Sequence, residues 1–231
     1  MLIAESTNGG PLLTRSGRPS GRALRLTDLL TESRQLGFLG PAPVEDQLSH
    51  AAAFAVAVPD PPVRALDLGA GGGLPGLVLA ATVWPLTRWC LLDARARRTA
   101  FLVEAVERLG LTDQVEVVTI RAEEHGRRQD ERGAYDLVVA RSFAAPGVTA
   151  ECAAPLLRPG GHLVVSEPPT SITDERWPPA ALARLGFDPP QAVVVPGEAR
   201  EPIHLVRIPL ASAAPERYPR RVGIPAKRPL F

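Results

Sequence analysis

Short apolar runs alternate with helical patterns along most of the chain. Runs that could form buried strands fall at 63–68, 87–93, 115–120, 135–140 and 162–166. The clearest helical pattern between them covers 96–109, where the apolar residues share one face and Gly110 is a typical stop. Strands that alternate with helices predict a mostly parallel α/β sheet with right-handed crossovers and helices on both faces.

The two ends of the chain add elements to this sheet. Two strands at about 191–195 and 204–208 predict a closing antiparallel pair, which makes the sheet seven-stranded. Further helices are predicted from Leu24 to about Leu36 and at about 44–58, 74–83, 146–157 and 179–185. The predicted parts of the chain are a disordered extension (1–22), a helical N-terminal part (23–60), the main α/β domain (61–212) and a basic tail (213–231).

Composition fits one substantial core with appendages, because 45% of the 231 residues are apolar. The sequence has neither a run of about eighteen apolar residues nor an apolar leader, so we expect a cytoplasmic protein without a membrane segment. Cys90 and Cys152 stand in apolar surroundings, which favours two core thiols over a disulfide. The histidines are scattered without metal-ligand spacing, so we predict no metal site.

The segment 63–80 is typical of a strand, a glycine loop and a helix. Gly69, Gly71, Gly72 and Gly73 follow the strand, and Pro75 suits a first helical turn. Because glycine has no Cβ, the backbone N–H groups of this loop could approach a ligand closely. In an open α/β sheet, the turn beyond the carboxyl end of such a strand is where ligands bind.

Three interpretations of the glycines are open at this point. Gly71, Gly73 and Gly76 satisfy the G-x-G-x-x-G pattern of dinucleotide enzymes. Asp67 instead begins a D-x-G-x-G-x-G arrangement that resembles the first motif of S-adenosylmethionine (SAM) dependent methyltransferases. A loop that only turns the chain is the third interpretation. Asp93 ends the second strand, where nucleotide sites place a carboxylate for ribose hydroxyls, although an acid there can also cap a helix.

Several motifs together resemble one methyltransferase family. The similarity to the RsmG (GidB) family, the bacterial 16S ribosomal RNA guanine-N7 methyltransferases, lies in DLGAGGGLPG, LLDARARRTAFL, RAEE, YDLVVARSFA, PLLRPGG and RYPRRVGIPAKRPL. The match covers roughly 63–165 and 216–231. The resemblance implies a Rossmann-like class I methyltransferase fold, with SAM as the cofactor. It implies a cofactor site that contains Asp67, Gly69, Gly71, Leu74, Asp93, Ala122, Glu123 and Arg141.

Some positions depart from the family pattern. The family's N-terminal W-N…N-L-T segment has no counterpart in LLTESRQLGFLG, and a family histidine is matched by His50 without the Asp-Ser that should follow it. After the fifth strand the family has Leu-Lys-Gly, whereas this chain has Ser166-Glu167-Pro168. An acid in place of a cation is unfavourable next to RNA. A SAM-dependent methyltransferase with a different substrate is therefore one alternative, and a SAM-binding ribosome-assembly protein without turnover is another.

The resemblance also implies the chemistry. Guanine N7 carries an in-plane lone pair and needs no general base before it attacks the methyl group. Arg141, after the fourth strand, is the predicted catalytic residue, and it would position guanine or a phosphate by hydrogen bonds. An ion pair with a carboxylate such as Glu123 is the structural alternative. The expected partner is 16S rRNA or the small ribosomal subunit, bound by a monomer.

The C-terminal tail concentrates positive charge. Its predicted RNA-binding residues are Arg217, Tyr218, Arg220, Arg221, Lys227 and Arg228, with the tyrosine stacked on an exposed base. No acid occurs among these residues, and the prolines argue against a helix. A solvated terminus that only keeps the protein soluble is the alternative.

Overall fold

The computed structural model describes residues 21–169, 173–196 and 201–231 of the chain. The disorder expected for 1–22 falls almost entirely outside the described residues, and Gly21 and Arg22 already belong to the first helix. The division of the chain at 22, 60 and 212 stays a prediction.

One seven-stranded sheet forms the centre of the described part of the chain. Its strands are β1 (Arg64–Leu68), β2 (Arg88–Asp93), β3 (Val115–Thr119), β4 (Tyr135–Ala140), β5 (Leu157–Ser166), β6 (Gln191–Val195) and β7 (Ile203–Pro209). Their order in the sheet is β3-β2-β1-β4-β5-β7-β6, and only β7 runs antiparallel to its neighbours. The predicted mostly parallel sheet with an antiparallel C-terminal pair is confirmed.

The fifth strand begins earlier than the sequence indicates. It starts at Leu157 rather than His162, so the Arg-Pro-Gly-Gly segment at 158–161 lies inside β5. Pairing with β4 shifts register between Tyr135 and Leu137, and Gly160 has a φ of +82°. The predicted turn is therefore an irregularity within a longer strand, because Leu157 still pairs with β4 before the chain bends.

The helices flank the sheet on both faces. They are α1 (Gly21–Gln35), α2 (Val44–Ala53), α3 (Gly76–Val78), α4 (Ala96–Leu109), α5 (Ala122–His125), α6 (Pro146–Ala153), α7 (Thr173–Arg176), α8 (Pro179–Ala183) and α9 (Ile224–Lys227). A 3₁₀ turn extends α2, and a π-helical turn extends α3. Helix α4 agrees with its predicted bounds, whereas the four-residue helices α5, α7 and α9 are not predicted by the sequence pattern. No helix within the described ranges is long and apolar enough to span a lipid bilayer.

Two apolar cores, one on each face, explain why the central strands are continuous apolar runs. On β1, the side chain of Ala65 belongs to a core shared with α1, α2 and α4. Leu66 and Leu68 belong to the opposite core, which contains residues of α6 and α8. Burial on both faces fixes β1 in the middle of the sheet.

Position in the sheet determines where a ligand can bind. Strands β2 and β3 lie on one side of β1, and β4 and β5 lie on the other. The chain leaves β1 towards β2 and leaves β4 towards β5, so the loops that follow β1 and β4 turn away from each other at the carboxyl edge. The space between two such loops is the usual place for a ligand in an open α/β sheet. This edge carries Gly69, Asp93 and Arg141.

Candidate cofactor and substrate site

A cavity of about 460 Å³ opens at the carboxyl edge of the sheet. Its walls come from the loops that follow four parallel strands, and include Gly69, Asp93, Ile120, Ala122, Glu123 and Phe143. Ala226 of α9 closes the cavity from the C-terminal segment. The structure thus brings together residues that the sequence places 157 positions apart.

Most N–H groups of the glycine loop already have partners within the protein. Those of Gly69 and Ala70 both donate to the Leu92 carbonyl, and that of Gly71 donates to Asp93 Oδ2. The Gly73 N–H donates to the Ala70 carbonyl. Four N–H groups of the loop are therefore in use within the protein, and close approach of the loop to a ligand stays a prediction. A dinucleotide pyrophosphate needs free donors of this kind, so their occupation argues against a dinucleotide cofactor.

Close contacts explain the glycines instead. Gly69 has a φ of +78°, and a Cβ there would lie 2.6 Å from the ring of Phe143. Gly72 packs against α1, where the Ser33 hydroxyl donates to the Gly72 carbonyl at 3.0 Å. The loop therefore lets a helix on one side and an aromatic ring on the other approach its backbone directly.

Asp67 is buried and anchors the loop to the helix that follows it. Its Oδ2 accepts the Gly76 N–H at 2.7 Å, whereas its Oδ1 has no hydrogen-bond partner among the described residues. Burial raises the pKa of Asp67 to about 7; the Gly76 hydrogen bond opposes that shift, as does the charge of Arg141. A cation bound nearby would favour the ionised carboxylate.

Asp93 connects the second strand to the glycine loop. Its Oδ2 accepts the Gly71 N–H at 3.0 Å, and its Oδ1 accepts the Arg95 N–H at 2.8 Å. Arg98 Nη1 lies 3.6 Å from Oδ2. The N-cap of α4 is Arg95, so Asp93 is not the capping residue of that helix. Asp93 lines the larger cavity, as a ribose carboxylate would, and that role stays a prediction.

The predicted adenine side lies at the start of α5. Ala122 and Glu123 both line the larger cavity. Glu123 Oε1 accepts the Gly223 N–H at 2.9 Å, which ties α5 to the C-terminal segment. Within the described ranges, no ion pair joins Glu123 to Arg141, so that structural alternative for Arg141 is not observed.

Arg141 lines a second cavity of about 170 Å³ next to the larger one. The two cavities share Gly69, Arg98 and Ser142, and the smaller one is also lined by Gly71 and Leu74. Arg141 Nη1 is buried without a hydrogen-bond partner in the described part of the chain. Burial lowers the pKa of Arg141, and the charge of Asp67 opposes that shift.

The C-terminal segment packs against the domain instead of extending from it. Arg132 donates to the Tyr218 carbonyl at 2.7 Å, and the Tyr218 side chain is only 4% exposed. Arg220 forms an ion pair with Glu151, which is completely buried. The expectation that Tyr218 stacks on a base is therefore wrong, and Arg220 is already paired. The remaining predicted RNA-binding residues are exposed: Arg217, Arg221, Lys227 and Arg228.

Some residues of the site are not evident in the sequence. Gln47 of α2 lines the smaller cavity although it lies far from every recognised motif. Ser33 reaches the glycine loop from α1, and no spacing rule connects these two segments. Phe143 lies two residues after Arg141 in the YDLVVARSFA motif, which is the signal in the sequence that could have found it. Among the described residues, no group of three or more His, Cys, Asp and Glu side chains could hold a metal ion.

Comparisons with known proteins agree with this geometry. The model of the family GidB, rRNA small subunit methyltransferase G, matches residues 43–170. The "Ribosomal RNA small subunit methyltransferase G" of Parasynechococcus marenigrum is 40% identical over 168 residues, which cover 72% of this chain and 67% of the relative. The protein of the same name from Prochlorococcus marinus is 34% identical over 190 residues, with 81% and 71% covered.

Solved structures show the same fold at low identity. A putative O-methyltransferase from Klebsiella pneumoniae has a TM-score of 0.58 at 14% identity, with 84% of this chain and 91% of that chain covered. An O-methyltransferase from Bacillus cereus, solved in complex with SAH, has a TM-score of 0.58 at 18% identity, with 81% and 90% covered. The motif that begins at Asp67 resembles the first motif of SAM-dependent methyltransferases, and the chain belongs to the rRNA small subunit methyltransferase G family.

Proposed function

We propose that this protein transfers the methyl group of SAM to N7 of a guanine in 16S rRNA. The observation that carries the proposal is the cavity at the carboxyl edge of the sheet, in a chain that matches the methyltransferase G family over more than half its length. The cavity is lined by Asp93, by α5 and by the glycine loop. These are the positions that the family resemblance assigns to the cofactor.

The residues present fit SAM better than a dinucleotide. SAM carries two cationic groups, a sulfonium and an α-ammonium, which favour nearby carboxylates and carbonyls, whereas a dinucleotide carries an anionic pyrophosphate that needs several free N–H donors. Asp67 and Asp93 flank the glycine loop, and one oxygen of Asp67 has no partner in the described ranges. In this placement Asp93 holds the ribose and Ala122 and Glu123 border the adenine. Asp67, Gly69, Gly71 and Leu74 surround the methionine end.

Positioning accounts for catalysis in this proposal. SAM, when bound, would supply an electrophilic methyl group: as the lone pair of guanine N7 forms the new N–C bond, the bond from methyl to sulfur breaks, S-adenosylhomocysteine leaves, and the positive charge passes to the purine, so no base is needed to deprotonate N7 first. The protein holds N7 in line with that methyl group, which can supply about 7–11 kcal/mol of rate enhancement. Arg141 lines the smaller cavity and precedes Ser142, which lines both cavities. In this proposal its Nη1, which has no partner in the described ranges, donates to the guanine or to a phosphate.

The environment of Glu167 is compatible with RNA as the substrate. Glu167 stands where the family has lysine, and its Oε2 pairs with Arg176 Nε while its Oε1 accepts from Trp177 Nε1 at 3.1 Å. The carboxylate is therefore neutralised and mostly buried, and the Arg176 side chain stays 41% exposed. An acid with this partner does not repel a phosphate as a free acid would. The replacement of the family lysine by Glu167 is therefore only weak support for a different substrate.

The partner in this proposal is the small ribosomal subunit or its 16S rRNA. The exposed cations of the C-terminal segment and of Arg95 and Arg121, beside the cavity, would meet phosphates. The protein acts in the cytoplasm, where ribosomes assemble, as a monomer and without a metal ion.

Nucleoside analysis by mass spectrometry tests the proposal directly. 16S rRNA from cells that lack the gene should contain one N7-methylguanosine fewer than wild-type rRNA, and the intact gene should restore it. If deletion of the gene removes the modification but the purified protein with SAM does not methylate small subunits from the deletion strain, the protein is a SAM-binding assembly protein without turnover. If cells that lack the gene keep normal methylation of 16S rRNA but lose methylation of another molecule, that molecule is the substrate.

A further inference from the structure

Arginines line the larger cavity, although the cofactor proposed for it is itself a cation. Arg95, Arg98 and Arg121 are among its lining residues, with Asp93 and Glu123 as the carboxylates. SAM carries more positive than negative charge and has no phosphate, and its ribose and adenine are uncharged. A cavity that holds only this cofactor has no use for three arginines beside the ribose and the adenine. They therefore indicate a second, anionic ligand.

Two of these arginines are not paired within the protein. Arg98 Nη1 lies 3.6 Å from Asp93 Oδ2, so its charge is partly compensated. Arg95 and Arg121 are exposed, and their side chains form no ion pair or hydrogen bond within the described ranges. They follow the adjacent strands β2 and β3, in which Asp93 pairs with Thr119. Each arginine stands two residues beyond that pair, so two unpaired cations stand on neighbouring strand ends at one wall of the cavity.

The C-terminal segment brings a further cation to another wall of the same cavity. Ala226 of α9 lines the cavity, and the exposed Lys227 directly follows it. Helix α9 packs against α6, and the Gly223 N–H donates to Glu123 Oε1 at 2.9 Å, so this wall is held in place. Positive charge thus borders the cavity on the side of β2 and β3 and on the side of α9. A polyanion that contacts both sides must lie across the mouth of the cavity.

We infer that rRNA bound at Arg95, Arg121 and Lys227 covers the cofactor cavity, an inference that rests on the proposed function. SAM then has to enter before the RNA binds, and S-adenosylhomocysteine leaves only after the RNA has dissociated. A covered cavity also keeps water away from the reacting methyl group and commits the bound cofactor to transfer. The arginines at the cavity thus bind the substrate and also set the order of binding.

A release experiment without turnover tests this order. Enzyme loaded with radiolabelled S-adenosylhomocysteine is mixed with an excess of the unlabelled compound, with or without saturating small ribosomal subunits from cells that lack the gene. Rapid filtration follows the label that stays bound. The subunits should slow its release by on the order of tenfold or more, because the mouth of the cavity is covered. Co-sedimentation at several salt concentrations measures binding of the enzyme to the subunits.

Two double variants with the same loss of charge separate this surface from general electrostatics. Arg95→Gln/Arg121→Gln should reduce the steepness of log affinity against log salt by about 1.4 if each arginine meets one single-stranded phosphate. With saturating subunits, this variant should also release S-adenosylhomocysteine faster than the wild type does. Arg88→Gln/Arg184→Gln is the control, because both residues are exposed and Arg88 begins β2 at the opposite edge of the sheet. The control should match the wild type in both measurements.

The possible results separate the inference from the proposed function. Subunits that bind the enzyme but leave the release rate unchanged would overturn the inference, while the proposed function would stand. Wild-type salt dependence and wild-type release in Arg95→Gln/Arg121→Gln would also overturn it, because the RNA would then not pass over these arginines. Subunits that do not bind the enzyme at any salt concentration would contradict the proposed function, and the inference with it. Thermal unfolding checks that both double variants are folded.

Discussion

Arg220 and Glu151 form a two-pronged ion pair that fixes the C-terminal segment to α6. Arg220 Nε donates to Glu151 Oε1 at 2.8 Å, and Nη2 donates to Oε2 at 2.6 Å. The backbone N–H of Arg220 also donates to Oε1. Glu151 is completely buried, so this arginine compensates a charge that has lost its water. The pair holds the segment whose Ala226 lines the larger cavity.

Replacement of Arg220 should destabilise the whole domain. Arg220→Gln leaves Glu151 buried without a cation, and the loss of one partner of a buried pair typically costs about 3–5 kcal/mol. Affinity for SAM should fall as well, because Gly223 would no longer be held against Glu123. Urea denaturation and calorimetry measure the two effects. Arg217→Gln is the matched control, because Arg217 is exposed and its guanidinium lies over the Tyr218 ring. Equal stability of the two variants would contradict the role of the pair.

The exposed cations of the C-terminal segment should contribute to RNA binding through charge. If Arg217, Arg221, Lys227 and Arg228 each meet one phosphate, they account for a slope of about −2.8 in log affinity against log salt for single strands. Their joint replacement by glutamine should remove that part of the slope. The Kd for SAM should stay unchanged, which deletion of the packed segment would not allow. A variant that binds rRNA fragments with the wild-type slope would show that these residues do not contact RNA.

The sheet could be predicted from sequence because its strands are short apolar runs and its crossovers follow general rules. The bounds of α4 could also be predicted, since its apolar face is continuous and Gly110 ends it with a φ of +66°. These features depend on residues that are close together in the chain. The resemblance to the methyltransferase G family, carried by several such local motifs, is confirmed.

Features that depend on contacts between distant segments were not predicted. The packing of the C-terminal segment follows from Glu151 and Glu123, neither of which is near the tail in sequence. The many positive charges of the C-terminal segment are the same pattern that an RNA-binding arm would show. The occupied N–H groups of Gly69, Ala70 and Gly71 could not be inferred either, because their acceptors belong to β2. A pattern of residue types does not show which polar groups have already found partners.

Asp93 should be important for cofactor binding through two routes. Asp93→Ala removes the acceptor of Gly71 and Arg95 and also the predicted ribose contact. We expect SAM to bind more weakly by about 1–3 kcal/mol, the range for a lost hydrogen bond to a charged group. Calorimetry measures this change, with Asp113→Ala as an exposed control. If the Asp93→Ala variant binds SAM with the same Kd as the wild type, Asp93 has only a structural role.

Arg141→Lys should remove most activity while the fold survives. Lysine keeps the positive charge that faces Asp67 but lacks the planar fork of donors. If positioning is the function of Arg141, kcat on small subunits should fall by on the order of 10–100-fold. The free energy of unfolding should change little, since Arg141 forms no ion pair in the described ranges. Wild-type kcat in this variant would mean that Arg141 contributes charge alone.

Asp67 should make the stability of the free protein depend on pH. Its native pKa of about 7 lies above the ordinary value of 3.8, so between these values the native state binds a proton that the unfolded state has released. The contribution of Asp67 to stability is therefore fully present below about pH 4 and is lost as the pH rises through 7. One proton corresponds to a slope of about 1.4 kcal/mol per pH unit within this window. Asp67→Asn keeps an acceptor for the Gly76 N–H and cannot ionise. The stability of wild type relative to this variant should thus fall between pH 4 and 7 and then level off, as urea denaturation at each pH would measure. Parallel curves for the two proteins over the whole range would show that the pKa of Asp67 is the same in the native and unfolded states.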